Sequence, residues 1–133
     1  VVCGTDWSPL GIDVECIRPI DFAIAKRFFS ETEYNDLMEK PEQEKLTYFY
    51  DLWTLKESYI KAVGKGLSLP LDSFSIRKNK SDITMTTDNP DSWYFIQYDI
   101  DPAYRFSVCA GNYHFPRNPE IRSPEDLAAM LPD

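Results

Sequence analysis

The chain is short of the groups on which many functions depend. It has one histidine, His114, and three cysteines, Cys3, Cys16 and Cys109, widely spaced and with no CxxC pair. A zinc site needs such ligands clustered, so none is expected. Each cysteine sits in an apolar stretch, which predicts buried, reduced thiols and a cytoplasmic protein. Basic residues are also outnumbered, with 14 Lys and Arg against 22 Asp and Glu and a net charge of −8. That balance argues against nucleic acid as a partner, because nucleic acid calls for a basic face. An anionic small ligand would need a metal or local lysines to reverse the field. Every apolar run stops short of the roughly 18 residues of a membrane-spanning helix, so no membrane span is predicted. An initiating methionine is missing too, and the abrupt opening on VVCG suggests a part excised from a longer protein.

What is present suits one compact domain. Apolar residues make up 43% and aromatic residues 14% of the 133, enough for a single core. Residues 1–6 and 10–16 are β-like runs separated by the turn signal WSP, and predict a hairpin. FAIAKRFF predicts a short helix. Ser30 and Glu33 form a capping-box pattern for a second helix through Lys40. Pro41 suits the first turn of a longer helix to about Val63, closed by Gly64. Beyond a Pro-containing loop the period changes to alternation. SFSIR, ITMTT, WYFIQYDI and YRFSVCAG are strand candidates, the last two joined by DPAY as a tight hairpin. SPEDLAAML predicts a short helix near the end. This order predicts an α+β fold, an antiparallel sheet with helices packed on one face.

On the long helix, Leu46, Phe49, Leu52, Trp53, Ile60 and Val63 share one broad stripe. Thr47, Asp51, Thr54, Ser58 and Ala62 fall on the opposite side, which predicts a solvent face. Lys56 lies inside the apolar stripe and Glu57 at its edge, with Lys61 one turn on. Glu57 and Lys61 are a favourable i,i+4 pair, and Lys56 can snorkel, so an ordinary surface explanation exists. A strand offers a second oddity. In GIDVE the period of two puts Asp13 and Glu15 on one face. At a solvated edge these acids would only deter aggregation. Facing the helix, they need a cation. Three carboxylates without sulfur or imidazole are hard oxygen ligands suited to Mg²⁺ or Mn²⁺, and Mg²⁺ commonly shares its shell with substrate phosphates. Lys56 and Lys61 would then neutralise remaining phosphate charge.

GIDVE followed by WTLKESYIKAVGKG resembles the two signature motifs of the 4′-phosphopantetheinyl transferases. Gly11, Asp13, Glu15, Trp53, Lys56, Glu57, Ser58 and Lys61 fill the fixed positions. AKRFFSETEY and GKGLSLPLDSFSIR are similar to the larger Sfp-type members, which serve nonribosomal peptide and polyketide synthases. The resemblance runs over residues 1–115 as a C-terminal half-domain of a pseudo-dimer, and leaves 116–133 as a tail with a short helix. It implies transfer of the phosphopantetheine arm of coenzyme A to a serine of an acyl or peptidyl carrier domain, with adenosine 3′,5′-bisphosphate released. Asp13, Glu15 and Glu57 would bind Mg²⁺, with Mn²⁺ a substitute. Lys56 and Lys61 would steady the phosphates of coenzyme A. Glu57 would be the candidate for abstracting the serine proton, directly or through a metal-bound water, or else only a metal ligand. Lys61 would lie beside that serine, and Trp53 would hold the site's shape or line the pantetheine path. The segment Ile17 to Ser30 would meet the carrier, through Ile20, Phe22 and Phe28 and through Arg18, Lys26 and Arg27.

Only the second half of the Sfp pattern is matched. The basic residues and histidine that the first half supplies for the adenine and 3′-phosphate have no counterpart, and His114 predicts a surface or strand-end position. An N-terminal half or a second copy would be needed, and the isolated chain should bind coenzyme A weakly. A stand-alone enzyme of the acyl-carrier-protein-synthase type is one alternative, and a non-catalytic carrier-binding fragment is another. A Mg²⁺-dependent nuclease fits worst, since the glutamate and lysine share a helix and the chain is acidic.

Overall fold

A computed structural model describes residues 8–120 and 123–130. The predicted strand at 1–6, its hairpin and Cys3 lie outside the described residues. The elements run β1 (Leu10–Cys16), α1 (Ala23–Phe28), α2 (Glu31–Glu39), α3 (Glu42–Val63), β2 (Ser75–Asn79), β3 (Asp82–Thr86), β4 (Tyr94–Gln97), β5 (Tyr104–Ala110) and α4 (Pro124–Met130). This is an α+β fold, as the alternation of periods predicts. The strands form two sheets, however. One has the order β1-β5-β4 and the other is the β2-β3 hairpin, all antiparallel.

Local chemistry accounts for the boundaries. The Ser30 side chain accepts from the Glu33 backbone N–H while Glu33 accepts from the Ser30 N–H, so α2 opens on a complete capping box. Gly64 closes α3 at φ 77°, a left-handed conformation that costs a glycine little. One face of α3 packs under α1 and α2. There Phe49 stacks on Phe29 and Trp53, with ring centroids 5.3 and 5.9 Å apart. Stacked and tilted aromatic pairs of this kind add to the burial of their large apolar area.

The opposite face is where the structure overturns the helical-wheel expectation. Asp51, Thr54, Ser58 and Ala62 are buried, not solvated, because α3 lies across β1 and β5 on that side. Gly11 explains the close approach. A Cβ there would overlap the Ser58 carbonyl oxygen and the Ala62 backbone nitrogen. The polar groups on this face are paired across the layer. Thr54 Oγ1 is 2.7 Å from Ser107 Oγ, and Arg105 Nε donates to Asp51 at 2.6 Å, with Lys78 also bound to Asp51 at 3.0 Å. A buried polar face is stable only when it is satisfied in this way.

Candidate active site

Three elements bring the acids together. Register pairs Asp13 with Ser107 on β5, so Asp13 faces α3, as does Gly11 two residues earlier. Alternation along β1 then puts Glu15 on the same face. Glu57 and Lys61 project from successive turns of α3 toward that strand. Lys61 Nζ donates to Asp13 Oδ1 at 2.8 Å and to the Ile12 carbonyl at 3.2 Å. The lysine is half exposed whereas the Asp13 side chain is 7% exposed. Asp13 Oδ2 is buried and has no hydrogen-bond partner among the described residues. An orphaned buried carboxylate oxygen is costly and calls for an explanation.

The electrostatics point the same way. Burial pushes the Asp13 carboxyl above its ordinary pKa, and the Lys61 contact only partly offsets this. Glu15 is raised by burial and then by the charge of Asp13. Glu57 is also raised by burial, then by Asp13 and more weakly by Glu15, against the pull of Lys61. Each of the three acids is therefore held in a setting that disfavours its charge, with one half-exposed lysine among them. Carboxylates raised together by burial and by one another's charge are a mark of functional sites.

An open groove of about 480 Å³ begins at Glu57 and Lys61. Arg27 and Phe28 at the end of α1, Ile60 on α3, and Leu69, Pro70, Leu71 and Asp72 beyond it complete its lining. Trp53 does not line it. It meets the Phe28 ring edge-on at 6.1 Å and so supports the lining from behind. Of the basic residues expected to meet a carrier, Arg27 lines the groove. Phe29 is core, while Phe22 is half-buried and packs on Phe49 at 6.3 Å. His114 is exposed just past a bend, beside Tyr113.

Lys56 is not brought to this cluster. Its side chain is fully buried, paired with an equally buried Glu33 at 2.8 Å, and donates to the Phe74 carbonyl at 2.6 Å. Burial lowers its pKa and Glu33 works against that shift. Glu33 itself was visible in the sequence only as a helix cap. Its second role depends on α2 lying against α3, which no local pattern encodes.

Whether the acids suit a divalent cation can be judged from their chemistry. Among the described residues no three His, Cys, Asp or Glu side chains are gathered tightly enough to hold a metal ion as they stand. The donor set nevertheless fits one of the hard cations. All donors are carboxylate oxygens, one of them buried and unpaired, and Mg²⁺ takes few protein ligands and completes its shell with water and substrate phosphates.

The α+β fold is one shared with solved holo-acyl-carrier-protein synthases. That from Thermotoga maritima superposes with a TM-score of 0.65 at 15% identity, covering 77% of this chain and 61% of that one. The synthase from Bacillus anthracis str. Ames, solved in complex with CoA (3′,5′-ADP), gives 0.64 at 17% identity over 77% and 93% of the two chains. Residues 9–110 match the family model of the 4′-phosphopantetheinyl transferase superfamily, and the chain belongs to that superfamily. It is 49% identical over 130 residues to the 4′-phosphopantetheinyl transferase Sfp of Bacillus subtilis, spanning 96% of this chain and 58% of that protein. The psf-1 transferase of Bacillus pumilus is 40% identical over 133 residues, or 98% of this chain and 57% of that protein. The chain thus spans less than two thirds of the curated relatives it matches. None of the helices among the described residues is long and apolar enough to cross a membrane.

Proposed function

We propose that the chain carries the acidic catalytic half of an Sfp-type 4′-phosphopantetheinyl transferase. The reaction joins a serine hydroxyl of a carrier-protein domain to the phosphorus of the phosphopantetheine arm of coenzyme A. A new P–O bond forms at the serine, the pyrophosphate P–O bond breaks, and adenosine 3′,5′-bisphosphate leaves with the electron pair. The observation that carries this reading is the buried, unpaired oxygen of Asp13 at the junction with Glu15, Glu57 and Lys61. Membership in the superfamily supports it.

Asp13, Glu15 and Glu57 would hold Mg²⁺, which when bound supplies a Lewis acid for the pyrophosphate oxygens. Lys61 is half exposed on a flexible stem, so it can exchange its Asp13 contact for a phosphate oxygen. Its charge then offsets what develops on the leaving group. Glu57 borders both the acid cluster and the groove, the position required of a base for a serine entering by the groove. Its carboxylate would serve either as that base or as a direct ligand of the cation, since a metal-bound carboxylate is a poor proton acceptor. Arg27, exposed and lining the groove, suits an acidic carrier, of the kind used in nonribosomal peptide or polyketide synthesis. Because the chain spans 58% of its Bacillus subtilis relative, the adenosine end of coenzyme A is assigned to an N-terminal half or a second copy. We place the half-domain at 1–115, the tail at 116–133 and the protein in the cytoplasm.

The test is incubation with coenzyme A, Mg²⁺ and an apo carrier domain, scored by mass for the added arm. The chain is run alone and joined to the N-terminal half of the Bacillus subtilis transferase, with that transferase as positive control. Transfer by the joined form but little by the chain alone supports the reading. An inactive joined form beside an active control overturns it. Asp13→Asn should abolish transfer in any active form without unfolding it.

A further inference from the structure

The pair of Lys56 and Glu33 lies outside the proposed chemistry, yet neither side chain is exposed at all. A buried ion pair is weak support for a fold, since apolar side chains of equal volume commonly serve as well. What this pair holds is specific. Lys56 Nζ donates to the Phe74 carbonyl at 2.6 Å and lies 3.9 Å from the Phe74 ring centroid. Glu33 accepts from the Ile76 N–H at 2.7 Å and the Ser30 N–H at 2.9 Å. Two side chains thereby tie the head of α2 and the start of β2 to the turn of α3 that carries Glu57.

Between α3 and Phe74 runs the segment 64–73. It supplies Gly66, Leu69, Pro70, Leu71 and Asp72 to the groove. Its only regular structure is a pair of 3₁₀ turns at Gly66–Ser68 and Leu71–Ser73. Such a segment, without a ladder of its own, is as fixed as its two anchors. The upstream anchor is the end of α3, and the downstream anchor is Phe74, held by its buried ring against Tyr59 and by the bond from Lys56 to its carbonyl.

We propose that Lys56 and Glu33 are positioning residues of the candidate site: they fix the 64–73 wall of the groove against Glu57 and Lys61, and so set how an entering carrier serine is held. The kinetic part rests on the transferase reading, whereas the structural part rests on geometry alone. Neither residue touches the groove. Their effect passes through the Phe74 carbonyl and the Ile76 N–H.

Lys56→Met alone leaves Glu33 charged and unpaired, and such a variant can fail to fold. The double variant Lys56→Met/Glu33→Gln removes both charges at nearly constant volume and keeps an acceptor for the backbone. Hydrogen exchange read by mass spectrometry on the 133-residue chain then separates the roles. Amides of 65–74 should exchange at least about tenfold faster in the double variant, while α3 and β5 keep their protection. Unchanged exchange in 65–74, or equal acceleration along the whole chain, overturns the proposal. In whichever form transfers, the carrier KM should rise about tenfold with kcat within about twofold, the mark of a wall that holds the carrier equally in the bound and transition states. A double variant with wild-type KM overturns it as well. Should every form be silent in transfer, the transferase reading fails, and the exchange result still decides the anchoring.

Discussion

The two faces of α3 solve the same packing problem in opposite ways. Toward α1 and α2 the helix presents Phe49, Trp53 and Ile60, and space is filled by large rings. Toward the sheet it presents Thr54, Ser58 and Ala62, and the contact is made by bringing backbones together over Gly11. The ring face tolerates one misfit, Lys56, by giving it Glu33. The close face tolerates polar atoms by pairing them with Ser107, Arg105 and Gln97. The difference fixes where chemistry can be placed. Asp13 and Glu15 share the strand face of Gly11, so whatever draws that strand against the helix also draws the acids toward Glu57.

Substitutions on each face can break this contrast. Lys56→Met should have the largest effect, costing about 3–5 kcal/mol because Glu33 is stranded as a buried charge. Urea unfolding measures it, and a loss under about 1 kcal/mol would mean that Glu33 finds water or a proton. Gly11→Ala should follow at about 3 kcal/mol, the upper end of overpacking costs, since the added methyl meets helix backbone that has no rotamer to change. A near-neutral result would show that the faces are not so different. Thr54→Val comes third. It removes a hydroxyl bonded to Ser107 and to the Tyr50 carbonyl, worth about 1 kcal/mol, while Ser107 keeps its bond from Gln97.

How legible all this was in the sequence follows the same line. Elements whose signal is local were readable: the Ser30–Glu33 cap, the Gly64 stop, the helix of 22 residues and the alternating strands of the second half. The acids on one strand face and Glu57 with Lys61 on the helix were readable too, because period alone assigns faces. The close face was not. Threonine, serine and aspartate on a helix suggest solvent unless a glycine on a distant strand invites them inward, and that pairing of Gly11 with Ser58 is purely tertiary. Lys56 was noticed as a misfit, but its partner lies 23 positions away, hidden as a helix cap. The split into two sheets was also unreadable, since strand order depends on β5 inserting between β1 and β4.

The smallest expected effect runs in the stabilising direction. In the metal-free chain Asp13, Glu15 and Glu57 all have pKa values raised above 3.8, 4.5 and 4.5, burial being the main cause in each. A raised carboxyl favours the fold when protonated, so its contribution is complete below the unfolded pKa and is lost as pH rises through the folded one. Asp13→Asn removes one such charge. The contact surrendered, to a half-exposed Lys61, is worth under about 1 kcal/mol. Metal-free, the variant should therefore have a slightly higher urea midpoint than the parent chain at pH 7, and the gap should close as pH falls well below 3.8, where Asp13 is neutral in both states. Added Mg²⁺ should reverse the order by raising the parent's midpoint alone. If the variant is weaker at pH 7 without metal, Asp13 is there for Lys61 and the fold. If it is stronger, and Mg²⁺ reverses the order, the strand bears its acids at a cost that only the bound cation removes.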